Sequence, residues 1–189
     1  MYLFFDTETT GLPRNWKAPV TDTKNWPRMI QIAWVYSNQA GDVIEQNSFI
    51  IKPEGFKIPY EAAKVHRITT ERAYDEGTEL TTVLRKFNDL VEETKYLVAH
   101  NINFDEKIIG AEFVRKRIPT MLHRKPQLCT MQASTDYCKI PGPYGYKWPK
   151  LSELHMKLFG EYFEEAHDAA ADINATVKCF WELKRKGVM

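Results

Sequence analysis

Apolar positions along this chain follow two periods, and the change between them marks its elements. The opening "YLFFDTETTGLP" begins with an unbroken apolar run and closes in turn chemistry, so it reads as a buried strand ending at or just before Gly11. "MIQIAWVYSNQAGDVIEQNSFIIKP" reads as two strands joined by a tight turn at 38–42. The first of these is apolar on both faces except at Gln31, as a central strand would be. The period then lengthens. In "TELTTVLRKFNDLVEET", Leu80, Val83, Leu84, Phe87, Leu90 and Val91 recur at helical spacing. "KYLVAH" reads as a short buried strand, "NFDEKIIGAEFVRKR" as a helix, and "LSELHMKLFG" as a helix that Gly160 ends. The final "HDAAADINATVKCFWELKRK" reads as a helix with Ala171, Ala175, Phe180 and Leu183 turned inward and cations at its C-terminal end. This order predicts an α/β fold in a single domain, a mixed sheet with helices packed on it.

Two stretches lack either period. Residues 13–28, "PRNWKAPVTDTKNWPR", carry three prolines and two tryptophans and read as a long ordered loop or insertion. Loops of that length are uncommon in compact domains and are often functional. "IPGPYGYKWPK" reads as a Pro/Gly-rich aromatic loop.

Composition narrows the class. At 189 residues the chain suits one domain with a sizeable core, and 43% hydrophobic with 27% charged residues is ordinary for a soluble protein. A net charge of +1 excludes a broadly basic nucleic-acid coat but permits a short positive groove. Cys129, Cys138 and Cys179 are odd in number and form no C-x-x-C pair, which argues against a disulfide framework or a thiolate zinc site. No window approaches the ~18 apolar residues of a membrane span, and no basic leader precedes an apolar stretch. The expectation is a cytoplasmic protein that is neither exported nor membrane-inserted.

The candidate chemistry is acidic. Side chains two apart on a strand share a face, so Asp6 and Glu8 lie side by side with Thr7 facing away. Two neighbouring carboxylates at the end of a buried strand raise each other's pKa and destabilise the fold. A bound divalent cation would resolve the conflict; so would a strand end that reaches water. Asp105, in "HNINFDEKII", falls in the first turn of a helix just beyond a buried strand. Asp172, in "HDAAADINA", is surrounded by small alanines that let a backbone approach closely. His167 lies five residues before it, and a helix would turn the two about 140° apart. The spacing works better with His167 in the preceding loop and Asp168 as N-cap.

Taken in order, "FFDTETTGL", "HNINFD" and "HDAAAD" resemble the three motifs of the DnaQ-like 3′-to-5′ exonucleases, the DEDDh branch of the DEDD superfamily. The resemblance covers nearly the whole chain and implies a ribonuclease H-like mixed sheet flanked by helices. It implies four acidic ligands, Asp6, Glu8, Asp105 and Asp172, holding two Mg²⁺ or Mn²⁺ ions. It also implies a water whose pKa one metal lowers, His167 as the general base that deprotonates it, and a second metal stabilising the departing 3′ oxygen. The products would be nucleoside 5′-monophosphates released from the 3′ end of single-stranded DNA or RNA, with DNA favoured.

The same resemblance makes Thr9, Leu12, His66, Asn101 and Phe104 candidates for substrate binding, Leu12 as an apolar wedge against the terminal base. For Phe104, plain core packing is an equal alternative, and for Gln31 a satisfied buried hydrogen bond is as good a reading as support of the metal shell. Trp16, Trp26, Lys147, Trp148 and Lys150 could meet bases and phosphates, and residues 184–186 suit a helix cap. The insertion departs from the compact first-motif loop of polymerase proofreaders and leans toward a free-standing enzyme, monomer or homodimer, with polymerase or repair-complex association the other possibility. The reading from a different class is a catalytically idle module that binds nucleic-acid ends or a protein.

Overall fold

The computed structural model describes residues 1–163 and 168–189. The apolar opening run is strand β1 (Tyr2–Thr9), followed by the hairpin strands β2 (Met29–Ser37) and β3 (Val43–Ile50). Helices α1 (Tyr60–His66), α2 (Thr70–Glu76) and α3 (Leu80–Glu93) lead to β4 (Tyr96–Ala99) and α4 (Ile102–Lys116). Then come β5 (Gln127–Cys129), the single turns α5 (Thr130–Ala133) and α6 (Thr135–Cys138), a small hairpin of β6 (Pro141–Gly142) and β7 (Gly145–Tyr146), α7 (Leu151–Phe159) and α8 (Ala169–Arg185).

The five main strands form one sheet in the order β3-β2-β1-β4-β5. β1 runs antiparallel to β2 and parallel to β4, so the sheet is mixed, as the sequence predicts. The tight turn at 38–42 is present, closed by the Asn38 N–H donating to the Asp42 carbonyl at 3.0 Å.

Strand alternation decides which layer each residue of β1 meets. Leu3 and Phe5, with Ile32 and Trp34 of β2, pack on one face against Leu84 and Phe87 of α3 and Ile109 of α4. Tyr2 and Phe4, with Ala33 and Val35, pack on the other against Ala169, Ile173 and Phe180 of α8. Continued to the end of the strand, the even row delivers Asp6 and Glu8 to the α8 side and the odd row delivers Thr7 to the α4 side. Asp6 is opposite Ala33 and Glu8 opposite Gln31 in the β1–β2 ladder, so a small residue beside Asp6 leaves room for the helix. The ladder slips one residue between Glu8 and Thr9. Such bulges re-aim side chains and are common beside active sites.

Several expectations need correction. Ala175, Phe180 and Leu183 face inward, but Ala171 is only half-buried, and Ala169, Ile173, Thr176 and Cys179 complete the buried stripe of α8. Ile173 is the first large apolar residue of that helix and sets its rotation; small size had drawn Ala171 into the stripe. The helices α1 and α2 were not anticipated, because seven residues give too few repeats to show a helical period. β5, three residues long, escaped for the same reason. The aromatic loop contains the β6–β7 hairpin. All three cysteines are buried and free. Among the described residues no helix is long and apolar enough to cross a membrane.

Residues 13–28 form no strand or helix, yet they are anchored. Trp26 is buried and its indole N–H donates to the Pro19 carbonyl at 3.0 Å. The Arg115 guanidinium donates to the carbonyls of Thr23 and Trp26, and Arg28 pairs with the buried Glu112 of α4 at 2.9 Å.

Candidate active site

The acids predicted from three distant motifs converge at the C-terminal end of β1. Carboxylate oxygens of Asp6, Glu8 and Asp172 lie within 4.8 Å of one another, a group fit to hold a cation. Asp6 and Glu8 arrive on the even row of β1, and Asp172 on the first turn of α8.

The N-terminus of that helix is fixed by hydrogen bonds. Asp168 is its N-cap and accepts from the Ala170 N–H at 2.8 Å, as the spacing predicts. Gln31, buried on β2 directly across from Glu8, accepts from the Ala169 N–H at 3.2 Å and donates to Ser48 at 3.2 Å and to Asp168 at 3.5 Å. The buried glutamine of a central strand therefore latches the helix that carries Asp172. His167 lies outside the described residues.

Asp105 approaches from the other layer. β4 pairs with β1 only over Tyr2, Leu3 and Phe4, which leaves the Thr7 N–H without a strand partner. Asp105 takes that place: one of its oxygens accepts from the Thr7 N–H at 3.0 Å and from the Thr7 hydroxyl at 2.7 Å. The sharp entry into α4 that allows this comes at Asn101, which adopts a left-handed conformation with φ 73°. Asp105 stands beside the three-carboxylate group rather than within it.

The electrostatics follow from this crowding. Burial, then the carboxylates of Asp105, Asp172, Glu8 and Asp168, hold Asp6 well above the usual carboxylate range. Burial and the neighbouring acids Asp172, Asp105 and Asp168 push Glu8 up to about 8. Burial raises Asp105 to about 7 even though the Thr7 hydrogen bonds oppose the shift. Among the described residues, the charges that shift Asp6 are all carboxylates, and a hard divalent cation is the ligand such a set of oxygens accommodates.

Two cavities matter here, and Glu8 lines the first of them. One, of about 370 Å³, is lined by 7–12, by Pro59, Ala62, Val65 and His66 around α1, and by Phe104. Within it the Thr9 hydroxyl donates to the Gly11 carbonyl at 2.6 Å and so shapes the turn, while Leu12 stands 72% exposed at the rim. His66 is buried, accepts from the Ile68 N–H at 3.2 Å, and is shifted below its ordinary pKa by burial. The other cavity, of about 610 Å³, is lined by Trp16, Asn101, Asn103, Lys107, Met131 and Trp148. Phe104 packs partly against the core, and its ring lies 5.7 Å from that of Trp16.

The remaining candidates divide. Trp26 pins its loop in the core. Lys147 is engaged with Glu153 at 2.6 Å, whose other oxygen accepts from the Lys150 N–H at 2.7 Å. Lys184 donates to the Tyr2 hydroxyl at 2.9 Å over an aromatic cluster, and Arg185 and Lys186 pair with Glu182, as a structural helix end would. Sequence reading missed the contributions of α1 and of Asn103, Lys107 and Met131. Only the proline at 59, a favourable helix start, signalled the first.

The loop carrying Trp148 is held by His100 at the end of β4. Its Nε2 donates to the Pro149 carbonyl at 3.0 Å, which leaves Nδ1 to accept from the Thr130 hydroxyl at 3.0 Å. Burial lowers this imidazole from 6.5 to about 4. Between those values the unfolded chain binds a proton that the folded chain refuses, so stability is lost as pH falls through the window. The raised carboxylates of the acid cluster act in the opposite sense over the same range, so the His100 contribution is read as a difference. From pH 7 to 4.5, His100→Gln should gain about 2–3 kcal/mol on the wild type in urea denaturation, and a constant difference across that range would refute the assignment.

The chain matches the family model described as Exonuclease over residues 3–180. It is 28% identical over 176 residues to DNA polymerase III subunit epsilon of Treponema pallidum, covering 93% of this chain and 73% of that protein. It is 33% identical over 175 residues to the PolC-type DNA polymerase III of Streptococcus pyogenes, of which it spans 10%. The E. coli exonuclease I complex with a dA16 oligonucleotide superposes with a TM-score of 0.74 and 22% identity, over 97% of this chain and 40% of that one.

Proposed function

Because the chain belongs to the exonuclease family, the DnaQ-like 3′-to-5′ enzymes that hydrolyse phosphodiester bonds, we propose that it removes nucleoside 5′-monophosphates from the 3′ end of single-stranded nucleic acid, DNA in preference to RNA. The observation that carries this reading is the convergence of Asp6, Glu8 and Asp172, with Asp105 braced behind them and a nucleotide-sized cavity lined by Glu8. Mg²⁺ or Mn²⁺, two ions per site, is the cofactor this acid set suits, and when bound it supplies Lewis acidity and neutralises charge that develops on the phosphate. Asp6, Glu8 and Asp172 hold it, with Asp105 completing the set. Gln31 keeps Asp172 in register by anchoring the start of α8. His167, immediately before the N-cap of that helix, accepts the proton of the attacking water, a role its side-chain type suits near neutral pH.

The terminal nucleotide occupies the cavity beside Glu8, with Leu12 wedged against its base and Thr9, His66, Asn101 and Phe104 shaping its surroundings. We read the protein as a free-standing enzyme of the cytoplasm, where three buried free thiols remain reduced. The test is digestion of 5′-labelled single-stranded DNA and RNA of equal sequence with Mg²⁺, with Mn²⁺ and with chelator. A ladder shortening from the 3′ end, faster on DNA and absent with chelator, is expected. Strands that stay intact while the protein binds them would instead favour an idle end-binding module.

A further inference from the structure

The two tryptophans of the insertion have opposite fates. Trp26 is 2% exposed, whereas Trp16 is 51% exposed on a loop that is otherwise firmly anchored. Its position is set from two sides: Lys107 donates to the Trp16 carbonyl at 3.1 Å, and the indole ring lies against Phe104. Across the 610 Å³ cavity stands Trp148, 60% exposed and followed by the Pro149 carbonyl that His100 holds. Two large aromatic faces left open to solvent, with Asn101, Asn103 and Lys107 around them, form a surface neither core packing nor loop anchoring requires. It is also continuous with the active site, since Phe104 lines the cavity beside Glu8 on one side and contacts Trp16 on the other.

We propose that Trp16 and Trp148 form a second nucleobase site, which stacks the base immediately 5′ to the terminal nucleotide. This rests on the exonuclease reading and extends it by one residue of substrate. The faces of the indoles take any base, because stacking needs only a flat π surface, while the Lys107 ammonium beside the cavity favours an anionic backbone. A base must be unpaired to enter, so the site selects single strands.

The experiment compares single-stranded oligonucleotides that are intact, abasic at the penultimate position or abasic at an internal position well upstream, using wild type, Trp16→Ala, Trp148→Ala and Trp148→Phe. For wild type the penultimate abasic residue should raise KM about 5- to 100-fold, and the upstream one should change it little. Each alanine variant should raise KM on the intact strand by a similar factor and show no further penalty on the penultimate abasic strand, because base and ring act as one contact. Trp148→Phe should recover most of the loss. Equal KM for all three strands, or full additivity of variant and abasic penalties, would overturn the site. The wild-type comparison stands even where an alanine variant fails to fold. A nitrophenyl ester of a nucleoside 5′-monophosphate, too short to reach the second site, separates the two levels. Hydrolysis of the ester with no position-dependent abasic effect refutes only the stacking site, whereas no hydrolysis of ester or oligonucleotide refutes the exonuclease reading and the site with it.

Discussion

Asp6→Asn should lower phosphodiester hydrolysis by roughly three to four orders of magnitude, the equivalent of the several kcal/mol a correctly held metal contributes to a transition state. The same change should raise the melting temperature of the metal-free protein. Asp6 titrates in the folded chain well above its ordinary 3.8, because burial and the acids around it resist its charge. Above the unfolded pKa, then, the unfolded chain releases a proton that the folded chain retains, and stability falls as pH rises. Asparagine removes that liability, so its advantage in chelator should be small near pH 4 and grow toward pH 8. Added Mg²⁺ should reverse the order, since the cation stabilises the wild type in proportion to its binding and finds a poorer site in the variant. Melting curves with and without chelator, beside an activity assay, test both halves. A variant that is inactive but less stable than wild type in chelator at pH 8 would mean that Asp6 is held by structural contacts and not strained toward a cation.

The second large effect lies outside the catalytic group. Glu112→Ala should cost about 3–5 kcal/mol, as removal of one partner from a buried ion pair does, and lower the melting temperature by roughly 6 to 20 °C. The Glu112 side chain is fully buried, and one of its oxygens lies 2.9 Å from both Arg28 and Arg115 and accepts from the Met29 N–H at 3.0 Å. Without it two guanidinium groups face each other and the first N–H of β2 loses its partner. Because Arg115 also holds the carbonyls of Thr23 and Trp26, residues 13–28 should become the first site of limited proteolysis. Urea denaturation gives the magnitude; a loss below about 1 kcal/mol would show that the arginines find other partners.

Much of this architecture is legible in the sequence. Long, strongly periodic segments such as β2 and α3 announced themselves, and alternation alone put Asp6 beside Glu8. What stayed hidden was the work done between distant segments. Nothing local in "DTE" says that Thr7 will bind Asp105; that follows only once β4 proves too short to pair with the end of β1. Trp16 and Trp26 look alike in sequence, and only the contacts made in the fold separate the buried pin from the exposed ring. Lys147 reads as a phosphate ligand until Glu153 claims it. Ala171 was misassigned because small residues tolerate both core and surface, so a helix that begins with them sets its rotation later, at Ile173.

The even row of β1 and the first turn of α8 meet across almost the whole sequence, and this has a consequence in time. As the chain is synthesised, β1 and β2 can pair while α8 has yet to appear, and a folding intermediate that lacks that helix holds two of the three clustered carboxylates. Contacts between such remote segments form slowly, because the intervening chain must be ordered before they can be made. Docking of the last helix is therefore the step that completes the proposed acid set. On that proposal, a chain caught part-way, or one whose α8 has peeled away, should leave the nucleic acid around it uncut.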